Sequence, residues 1–279
     1  MNTNTQKVAL ITGASSGIGR VTAEQLAARG YKVFLACRSE AKTRPVLEAI
    51  ARQTGDPQRA VFLPLELGDL NSVRQCARMF LSSGLPLHLL VNNAGLGGAR
   101  GMTASGFEMT FGVCHVGHFL LTKLLLDALR ASAPARIVNV SSTAHLAPKS
   151  FSFENVRQPQ RTGTVREYQQ AKLANVLFTK ELASRLNGTG VTSYAVHPGV
   201  VATDIWRSLP RSLAWLMKLF MISEEEGAKT TLYCATDPAV ANESGYYYAK
   251  CRRARSSPVA DDAALATRLW VESEQWVAQ

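Results

Sequence analysis

Short apolar runs alternate with longer amphipathic segments along most of the chain. The runs are rich in valine, isoleucine and leucine and are followed by glycine or polar residues, which is typical of buried strands. Seven strands are predicted, at residues 7–11, 31–36, 60–65, 87–91, 136–140, 191–196 and 245–248. The segments between them predict helices at residues 18–28, 40–53, 71–82, 107–130, 167–186 and 224–235, with a last helix from about 261 to 276.

This alternation of strands and helices predicts an α/β fold. Strands joined through helices lie parallel, and right-handed crossovers place the helices on both faces of the sheet. We therefore expect a Rossmann-type, doubly wound parallel sheet of about seven strands. No proline- or serine-rich linker divides the 279 residues, so we expect a single domain over residues 1–279. The longest irregular stretches, 144–165 and 200–223, follow strand ends, where open α/β sheets bind ligands.

The chain is basic, with a net charge of +10 spread along its whole length. Such a balance suits nucleic acid, an anionic membrane or an anionic small molecule. The tightest basic group is at residues 252–255, with the sequence Arg-Arg-Ala-Arg, for which we predict a solvated loop. We therefore expect no nucleic-acid partner.

Cysteine usage and hydropathy bear on the compartment. The five cysteines form no Cys-x-x-Cys pair, and their odd number favours reduced thiols and a cytoplasmic location. Residues 1–7 are polar and too short for a signal peptide. The best apolar stretch that we find, residues 213–222, falls short of the roughly 18 residues of a membrane span. We expect no transmembrane segment, with peripheral membrane contact through this stretch as the alternative.

A glycine-rich run, Thr-Gly-Ala-Ser-Ser-Gly-Ile-Gly at residues 12–19, directly follows the first predicted strand. Glycine allows the backbone to approach a pyrophosphate closely, and a helix N-terminus offers free N–H groups and a positive dipole end. The run predicts a dinucleotide-binding loop, and an ordinary strand-to-helix turn is the alternative. Candidate contacts are Gly13, Ser15, Ser16, Gly17 and Ile18.

Tyr168 and Lys172 are four residues apart in a predicted helix, so both side chains lie on one face. A free phenol ionises near pH 10, and a nearby ammonium favours the phenolate that proton transfer near neutral pH requires. Such pairs are also common on ordinary helices. Ser141 and Ser142 end a predicted strand, where a hydroxyl can stabilise charge on a substrate oxygen or simply cap the strand.

Two further segments complete a recognisable order of motifs. Residues 92–95, Asn-Asn-Ala-Gly, follow a buried strand, and residues 198–203, Pro-Gly-Val-Val-Ala-Thr, follow another. Together with the glycine-rich run, the serine pair and the Tyr-Lys pair, they resemble the short-chain dehydrogenase/reductase family. Residues 115–122, 172–178 and 194–199 are similar to its retinol-dehydrogenase-like branch.

The resemblance implies an oxidoreductase that interconverts a hydroxyl and a carbonyl on an apolar small molecule, with the hydride carried by a nicotinamide cofactor. It makes Tyr168 the acid/base, gives Lys172 the nicotinamide ribose hydroxyls, and lets Ser142 polarise the carbonyl. The cofactor contacts that it implies are Glu66, Leu67, Asn93, Ala94, Gly95, Tyr168, Lys172, Pro198, Gly199, Val201 and Thr203. Apolar residues between 200 and 223 then predict a substrate lid or, alternatively, a pair of helices packed on the core.

The residue after the second predicted strand bears on the cofactor. An acid there would accept the adenosine ribose hydroxyls of NAD, but this chain has Arg38, whose planar fork suits a 2′-phosphate. We therefore predict NADP(H) over NAD(H). Many relatives that use NADP carry an extra basic residue where this chain has Ser16, so the preference is expected to be moderate.

The chain departs from the family pattern at two positions. Cys114 stands where the family usually has an asparagine that helps to link the lysine to solvent, and a thiol is a weaker hydrogen-bonding group than an amide. The proton relay is expected to be slower, reshaped or served by His115. Glu66 replaces an aspartate that contacts the adenine. Cys114, His115 and His118 lack a further ligand cluster, so no metal is expected.

Two alternatives stay open. The departures at positions 66 and 114 leave room for a cofactor-binding sensor or scaffold with little turnover. Many relatives pair through two long helices, here at about residues 119–129 and 173–186, which allows a homo-dimer or a homo-tetramer. The apolar faces of those helices could equally pack on the sheet.

Overall fold

The computed structural model describes residues 6–158, 165–199 and 222–278. The strands are β1 (Val8–Thr12), β2 (Lys32–Cys37), β3 (Ala60–Pro64), β4 (Leu89–Asn92), β5 (Ala135–Val140), β6 (Val191–His197), β7 (Tyr246–Ala249) and β8 (Arg252–Arg253). The helices are α1 (Gly17–Ala28), α2 (Glu40–Thr54), α3 (Leu70–Ser82), α4 (Met109–Ala131), α5 (Val165–Arg185), α6 (Glu224–Thr236) and α7 (Ala263–Ala278).

The strands form one sheet in the order β3-β2-β1-β4-β5-β6-β7-β8. Strands β1 to β7 pair in parallel, and β8 is antiparallel to β7. The chain order reverses on either side of β1, which lies between β2 and β4. The predicted α/β, doubly wound fold is confirmed, and this reversal is the position at which such sheets bind their ligands.

The sheet separates two apolar layers. Alternate residues of β1 point to opposite faces, so Val8 and Leu10 lie in one layer and Ala9 and Ile11 in the other. All five residues of β1 are buried, as expected for a parallel strand covered on both faces. This double burial is the physical reason that the strands could be predicted as continuous apolar runs.

The number of strands differs from the prediction of about seven, because β8 was not anticipated. Its two arginines pair with β7 through a two-residue turn, in which Lys250 and Cys251 have φ of +52° and +54°. Positive φ at both central residues is what a tight hairpin requires, and Asn-Gly is its usual sequence signal. Without that signal, residues 252–255 were predicted as a loop, which is wrong for Arg252–Arg253.

Helix α4 is not regular over its length, whereas a continuous helix was predicted at residues 107–130. Residues Gly112–Val116 form a π-helical turn, flanked by α-helical segments. A Cβ on Gly117 would lie 2.4 Å from the carbonyl oxygen of Leu67, so glycine permits the helix to pack directly on that backbone. Such π-turns occur frequently at functional sites, and this one contains Cys114.

The same helix corrects the expectation that no segment would be long and apolar enough for a membrane span. By length and composition α4 could cross a membrane, and 78% of its most apolar window is buried inside the protein. The core helix of a soluble protein passes the same test, so its apolar character is accounted for by burial. Most of residues 213–222, the stretch suggested for peripheral membrane contact, lie outside the described residues.

The helix faces suggested for subunit pairing are partly covered by the chain itself. The Trp270 ring of α7 lies 5.0 Å from the Phe119 ring of α4 and 5.9 Å from the Phe178 ring of α5, measured between centroids. Apolar residues of both helices, including Leu125 and Leu182, are buried in the core. The homo-dimer or homo-tetramer stays a prediction.

Candidate active site

The glycine-rich loop passes from β1 to α1 at the reversal of the strand order. Gly13 and Gly17 have φ of +67° and +60°, a region that side chains disfavour. A Cβ on Gly13 would lie 2.9 Å from Ala94, and one on Gly19 would lie 2.4 Å from Asn93 Nδ2. The glycines are therefore needed for the loop to pack against the end of β4.

The N-terminus of α1 fits an anionic group. Ser39, Asp69 and Ser223 cap helices α2, α3 and α6 with their side chains, but Ser16 makes no such bond at the start of α1. The first turn of α1 contains no acidic residue. Its backbone N–H groups and the positive end of its dipole suit a pyrophosphate. Around it, Ser16 is exposed, whereas Ser15 and Ile18 are partly exposed.

Thr12 joins this loop to two other elements. Its Oγ1 accepts the N–H of Asn93 at 3.0 Å and that of Ala94 at 2.9 Å, and lies 2.8 Å from His118 Nε2. His118 Nδ1 is 3.1 Å from the Cys114 carbonyl, which can only accept, so Nδ1 carries the proton. Nε2 then accepts the Thr12 hydroxyl proton, and the bridge requires a neutral imidazole.

The loop at residues 93–95 brings the end of β4 to the predicted acid/base pair. Asn93 Nδ2 donates to the Thr12 carbonyl at 2.8 Å, which fixes the loop against β1. A Cβ on Gly95 would lie 3.4 Å from Lys172 Nζ and 3.5 Å from Cys114 Sγ. Gly95 therefore borders the space between the lysine and the π-turn of α4.

Tyr168 and Lys172 lie near each other on α5, as their spacing predicts. Lys172 is 2% exposed, and its Nζ is 5.5 Å from the centroid of the Tyr168 ring. The Nζ donates to the Val140 carbonyl at 3.0 Å, and no carboxylate among the described residues pairs with it. A buried ammonium with N–H donors to spare fits the ribose hydroxyls of a dinucleotide.

Asn175, to which the sequence assigned no role, also donates to the Val140 carbonyl, at 3.1 Å. It follows Lys172 by three residues, and helical spacing brings both side chains to the same acceptor. The carbonyl thus accepts two hydrogen bonds from α5, which fix the end of β5 against that helix. The sequence signal that could have identified Asn175 is the recurrence of polar residues on this helix face.

The two serines at the end of β5 have different roles. Ser141 is buried and its Oγ donates to the Lys172 carbonyl at 2.8 Å, which links β5 to α5. Ser142 Oγ accepts the N–H of Ala144 at 3.2 Å and so caps the 3-10 turn Thr143–Leu146. Accepting that bond leaves the Ser142 hydroxyl proton available for a substrate oxygen.

His145 follows the serine pair and positions Ser142. Its Nδ1 donates to the Ser142 carbonyl at 2.7 Å, and its Nε2 accepts the N–H of Ser257 at 3.3 Å. The Tyr247 ring packs on it with centroids 4.5 Å apart. Burial lowers the pKa of His145, which keeps the neutral form that these two bonds require.

Cys114 lies in the π-turn of α4, where its side chain is shielded from solvent. The residue is buried, and its Sγ lies 3.6 Å from the Leu96 carbonyl, to which it donates. Its thiol proton is therefore directed at a backbone carbonyl rather than towards Lys172. The described residues contain no group of three or more His, Cys, Asp or Glu side chains placed to hold a metal ion.

At the edge of the sheet predicted to meet the adenosine, Arg38 and Glu66 lie beside each other. Arg38 Nη1 is 3.7 Å from Glu66 Oε2, with side chains 73% and 45% exposed. Leu67 is buried. These three positions follow β2 and β3, at the carboxyl edge of the sheet.

Only part of the segment predicted to meet the nicotinamide lies among the described residues. Pro198 and Gly199 follow β6, and Gly199 has φ of +98°. A Cβ on Gly199 would lie 2.4 Å from Ile222 Cδ1, so this turn packs directly on the C-terminal end of the predicted lid. Val201, Thr203 and nearly all of the predicted lid at 200–223 lie outside the described residues.

Two buried histidines of α4 predict loss of stability in acid. Burial lowers the pKa of His115 to about 3 and that of His118 to about 4. An unfolded histidine titrates near 6.5, so from pH 6.5 down to about 4 the unfolded state binds more protons than the folded state. The free energy of unfolding should therefore fall as the pH falls, by about 3–4 kcal/mol between pH 6.5 and 5 for the pair.

Urea unfolding across this pH range measures that loss. A His115→Asn variant should lose about half of the histidine contribution to the pH dependence, whatever its absolute stability. A variant with the same pH dependence as the parent protein would contradict the assignment.

Comparison with known proteins agrees with this geometry. The family model described as short chain dehydrogenase matches residues 7–214. Human retinol dehydrogenase 12 is 46% identical over 267 residues, covering 95% of this chain and 84% of that protein. Human retinol dehydrogenase 11 is 44% identical over 267 residues, covering 95% and 83%. The crystal structure of an uncharacterised protein from Mycobacterium paratuberculosis has a TM-score of 0.77 at 33% identity, covering 98% of this chain and 94% of that chain.

These matches extend over the glycine-rich loop, the serine pair and the Tyr-Lys pair, and the retinol dehydrogenases match nearly the whole chain. The family uses NAD(P)(H) to interconvert hydroxyl and carbonyl groups. The chain therefore belongs to the short-chain dehydrogenase/reductase family, in its retinol-dehydrogenase-like branch, and is an oxidoreductase that uses NAD(P)(H).

Proposed function

We propose that the protein is an NADP(H)-dependent oxidoreductase that interconverts a hydroxyl and a carbonyl on an apolar small molecule. The observation that carries the proposal is the buried ammonium of Lys172, which lies near the Tyr168 ring and donates to the Val140 carbonyl. A cation buried without a carboxylate partner is costly to a fold, and its retention favours a role in chemistry.

In the direction of reduction, Tyr168 gives its phenolic proton to the substrate oxygen, and Lys172 stabilises the phenolate that remains. Ser142 donates its hydroxyl proton in a hydrogen bond to the same oxygen and so stabilises the charge that develops there. When bound, the dinucleotide supplies or accepts the hydride. The anchored backbone around Ser142 and Lys172 keeps these groups in place, because His145 and Ser141 hold it by hydrogen bonds.

The N-terminus of α1 would hold the pyrophosphate. The ammonium of Lys172 would hold the ribose hydroxyls of the nicotinamide half, and Arg38 would hold the 2′-phosphate. NADP(H) is proposed over NAD(H) because Arg38 presents a planar cation where an acid would accept ribose hydroxyls. The exposure of Arg38 makes its contribution moderate, since solvent screens its charge.

An Arg38→Ala variant tests this preference. It should weaken NADPH binding by about tenfold and change NADH binding by less than about twofold, because only NADPH carries the phosphate. Titration of protein fluorescence with each dinucleotide gives both dissociation constants. Arg52→Ala, which removes an exposed arginine from the last turn of the neighbouring helix α2, is the matched control. Equal losses for NADPH and NADH at position 38 would contradict the preference.

The substrate is proposed to be a lipophilic aldehyde, ketone or alcohol, such as a retinoid-like or steroid-like molecule. The support is the similarity to two human proteins named retinol dehydrogenase, at 44% and 46% identity. NADPH oxidation in the presence of a panel of apolar carbonyl compounds tests the proposal. Turnover of at least one compound is expected. Tight NADPH binding without turnover of any would instead favour a cofactor-binding sensor or scaffold.

We propose a cytoplasmic location, supported by the five cysteines, all of which are free thiols. Peripheral membrane contact is tested by sedimentation with anionic liposomes at low and high salt. Binding that persists at high salt would require an apolar contact in addition to the basic charge.

A further inference from the structure

The parallel register of β2 and β3 places two opposite charges side by side at the adenosine end. Cys37 is the register partner of Pro64, and the N–H of Leu65 donates to the Cys37 carbonyl at 3.0 Å. Arg38 follows Cys37, and Glu66 follows Leu65. Both residues therefore emerge together at the carboxyl edge of the sheet. Arg38 Nη1 and Glu66 Oε2 are 3.7 Å apart.

The carboxylate of Glu66 is anchored, whereas the arginine is not. Glu66 Oε1 accepts the N–H of Gly68 at 3.1 Å, and the Glu66 backbone N–H donates to Ser72 Oγ at 2.9 Å. These bonds orient the second carboxylate oxygen towards Arg38. Arg38 is 73% exposed, and Glu66 is the carboxylate within 4 Å of it among the described residues.

We propose that Glu66 is a specificity-determining residue that weakens the binding of NADPH relative to NADH by holding a negative charge beside Arg38. The inference rests on the proposed role of Arg38 as the group that meets the 2′-phosphate. It predicts that an arginine at this position yields a moderate preference for NADPH rather than a strict one.

The sign of the effect follows from the charges. A phosphate monoester carries about −1.5 to −2 charges near pH 7, so a carboxylate within the reach of the same guanidinium repels it. NADH has a neutral ribose hydroxyl at that position, and a carboxylate can accept a hydrogen bond from it. Glu66 therefore disfavours the phosphate and tolerates the hydroxyl.

The opposite effect, in which Glu66 helps NADPH by holding Arg38 ready, is weaker. An exposed ion pair at 3.7 Å orders a flexible arginine poorly, because solvent competes for both groups. The nearby Glu40 is paired with Arg44 at 3.5 Å on α2, which partly neutralises its charge. The repulsion by Glu66 is thus the larger of the two effects.

A Glu66→Gln variant isolates the charge. Glutamine keeps the size of the side chain and an oxygen acceptor for the N–H of Gly68. We expect the ratio of the NADH to the NADPH dissociation constant to rise by about three- to tenfold at low ionic strength, mainly through tighter NADPH binding. Fluorescence titration with each dinucleotide measures this without any turnover. Glu272→Gln on α7 makes the same change of charge away from this edge and should leave the ratio unchanged.

Salt provides a second readout. Because the two groups are exposed, the difference between Glu66→Gln and the parent protein should shrink to less than about twofold at 0.5 M salt. An unchanged ratio in Glu66→Gln at low salt, a shift towards NADH, or a difference that persists at high salt would overturn the inference. A parent protein that binds NADH more tightly than NADPH would refute the proposed cofactor preference, yet the shift caused by Glu66→Gln would still decide the role of Glu66.

Discussion

A Tyr168→Phe variant is expected to lose about 10²–10⁴-fold in turnover while its NADPH dissociation constant changes by less than about threefold. The substitution removes one oxygen atom and keeps the ring that lies over the Lys172 ammonium. The substrate oxygen then lacks its proton donor, whereas the glycine-rich loop and the N-terminus of α1 are untouched. Steady-state NADPH oxidation and fluorescence titration measure the two effects separately.

Tyr246→Phe is the matched control for this variant. Tyr246 lies on β7, is 40% exposed and stacks with Arg253, so its ring also meets a cation. Removing the phenolic oxygen of Tyr246 should change turnover by less than about twofold. If Tyr168→Phe turned over substrate within a factor of a few of the rate of the parent protein, Tyr168 would have no role in the chemistry.

A Lys172→Met variant is expected to lose at least about 10²-fold in turnover, because the phenolate is no longer stabilised by a cation. NADPH binding should weaken as well, since the ammonium is the proposed partner of the ribose hydroxyls. The fold should tolerate the change, because Asn175 still donates to the Val140 carbonyl. Methionine also removes a buried charge, so the thermal midpoint should stay the same or rise.

This opposition between activity and stability separates a catalytic role from a structural one. If Lys172 served only to hold the end of β5, its loss would lower the thermal midpoint and leave turnover per folded molecule intact. Lys180→Met, on the same helix, is the control: that lysine pairs with Asp261 at the surface, and its loss should leave turnover unchanged. A Lys172→Met protein that melts earlier yet turns over normally would contradict the account.

The fold could be predicted from the sequence because parallel strands buried on both faces leave an unmistakable apolar pattern. Predicted and observed strand ends differ by at most two residues, as for β4, predicted at 87–91 and found at Leu89–Asn92. Strand β8 escaped prediction because its hairpin turn uses Lys250 and Cys251 rather than glycine or asparagine. The π-turn of α4 has no periodicity signal of its own, and the close packing of Gly112 on Thr103 and of Gly117 on Leu67 joins residues from separate segments of the chain.

The candidate site was predictable where its residues belong to local motifs, and less so where distant residues meet. Tyr168 and Lys172 are four residues apart, so helical spacing sufficed to bring them together. The Thr12–His118 bridge joins residues 106 positions apart, and no sequence pattern marks it. His145 could not be assigned a role from the sequence, because its partner is the Ser142 backbone, which carries no residue-specific signal.

Arg38 and Glu66 illustrate the same limit at the adenosine end. Arg38 was assigned to the cofactor from the end of its strand and Glu66 from the family resemblance, but their proximity follows only from the register of β2 and β3. Because their charges are opposite, the proposed effect of Glu66 on NADPH binding opposes that of Arg38. Register between strands, which depends on packing across the whole sheet, is what the sequence could not supply.

Transfer of deuterium tests the central claim most directly. The protein is incubated with NADPH deuterated at the transferable position of the nicotinamide and with an apolar carbonyl compound that it turns over. Mass spectrometry of the alcohol then locates the label. We expect one deuterium on the carbinol carbon with the parent protein and almost no alcohol with Tyr168→Phe. Alcohol without deuterium, or equal amounts of labelled alcohol from both proteins, would contradict it.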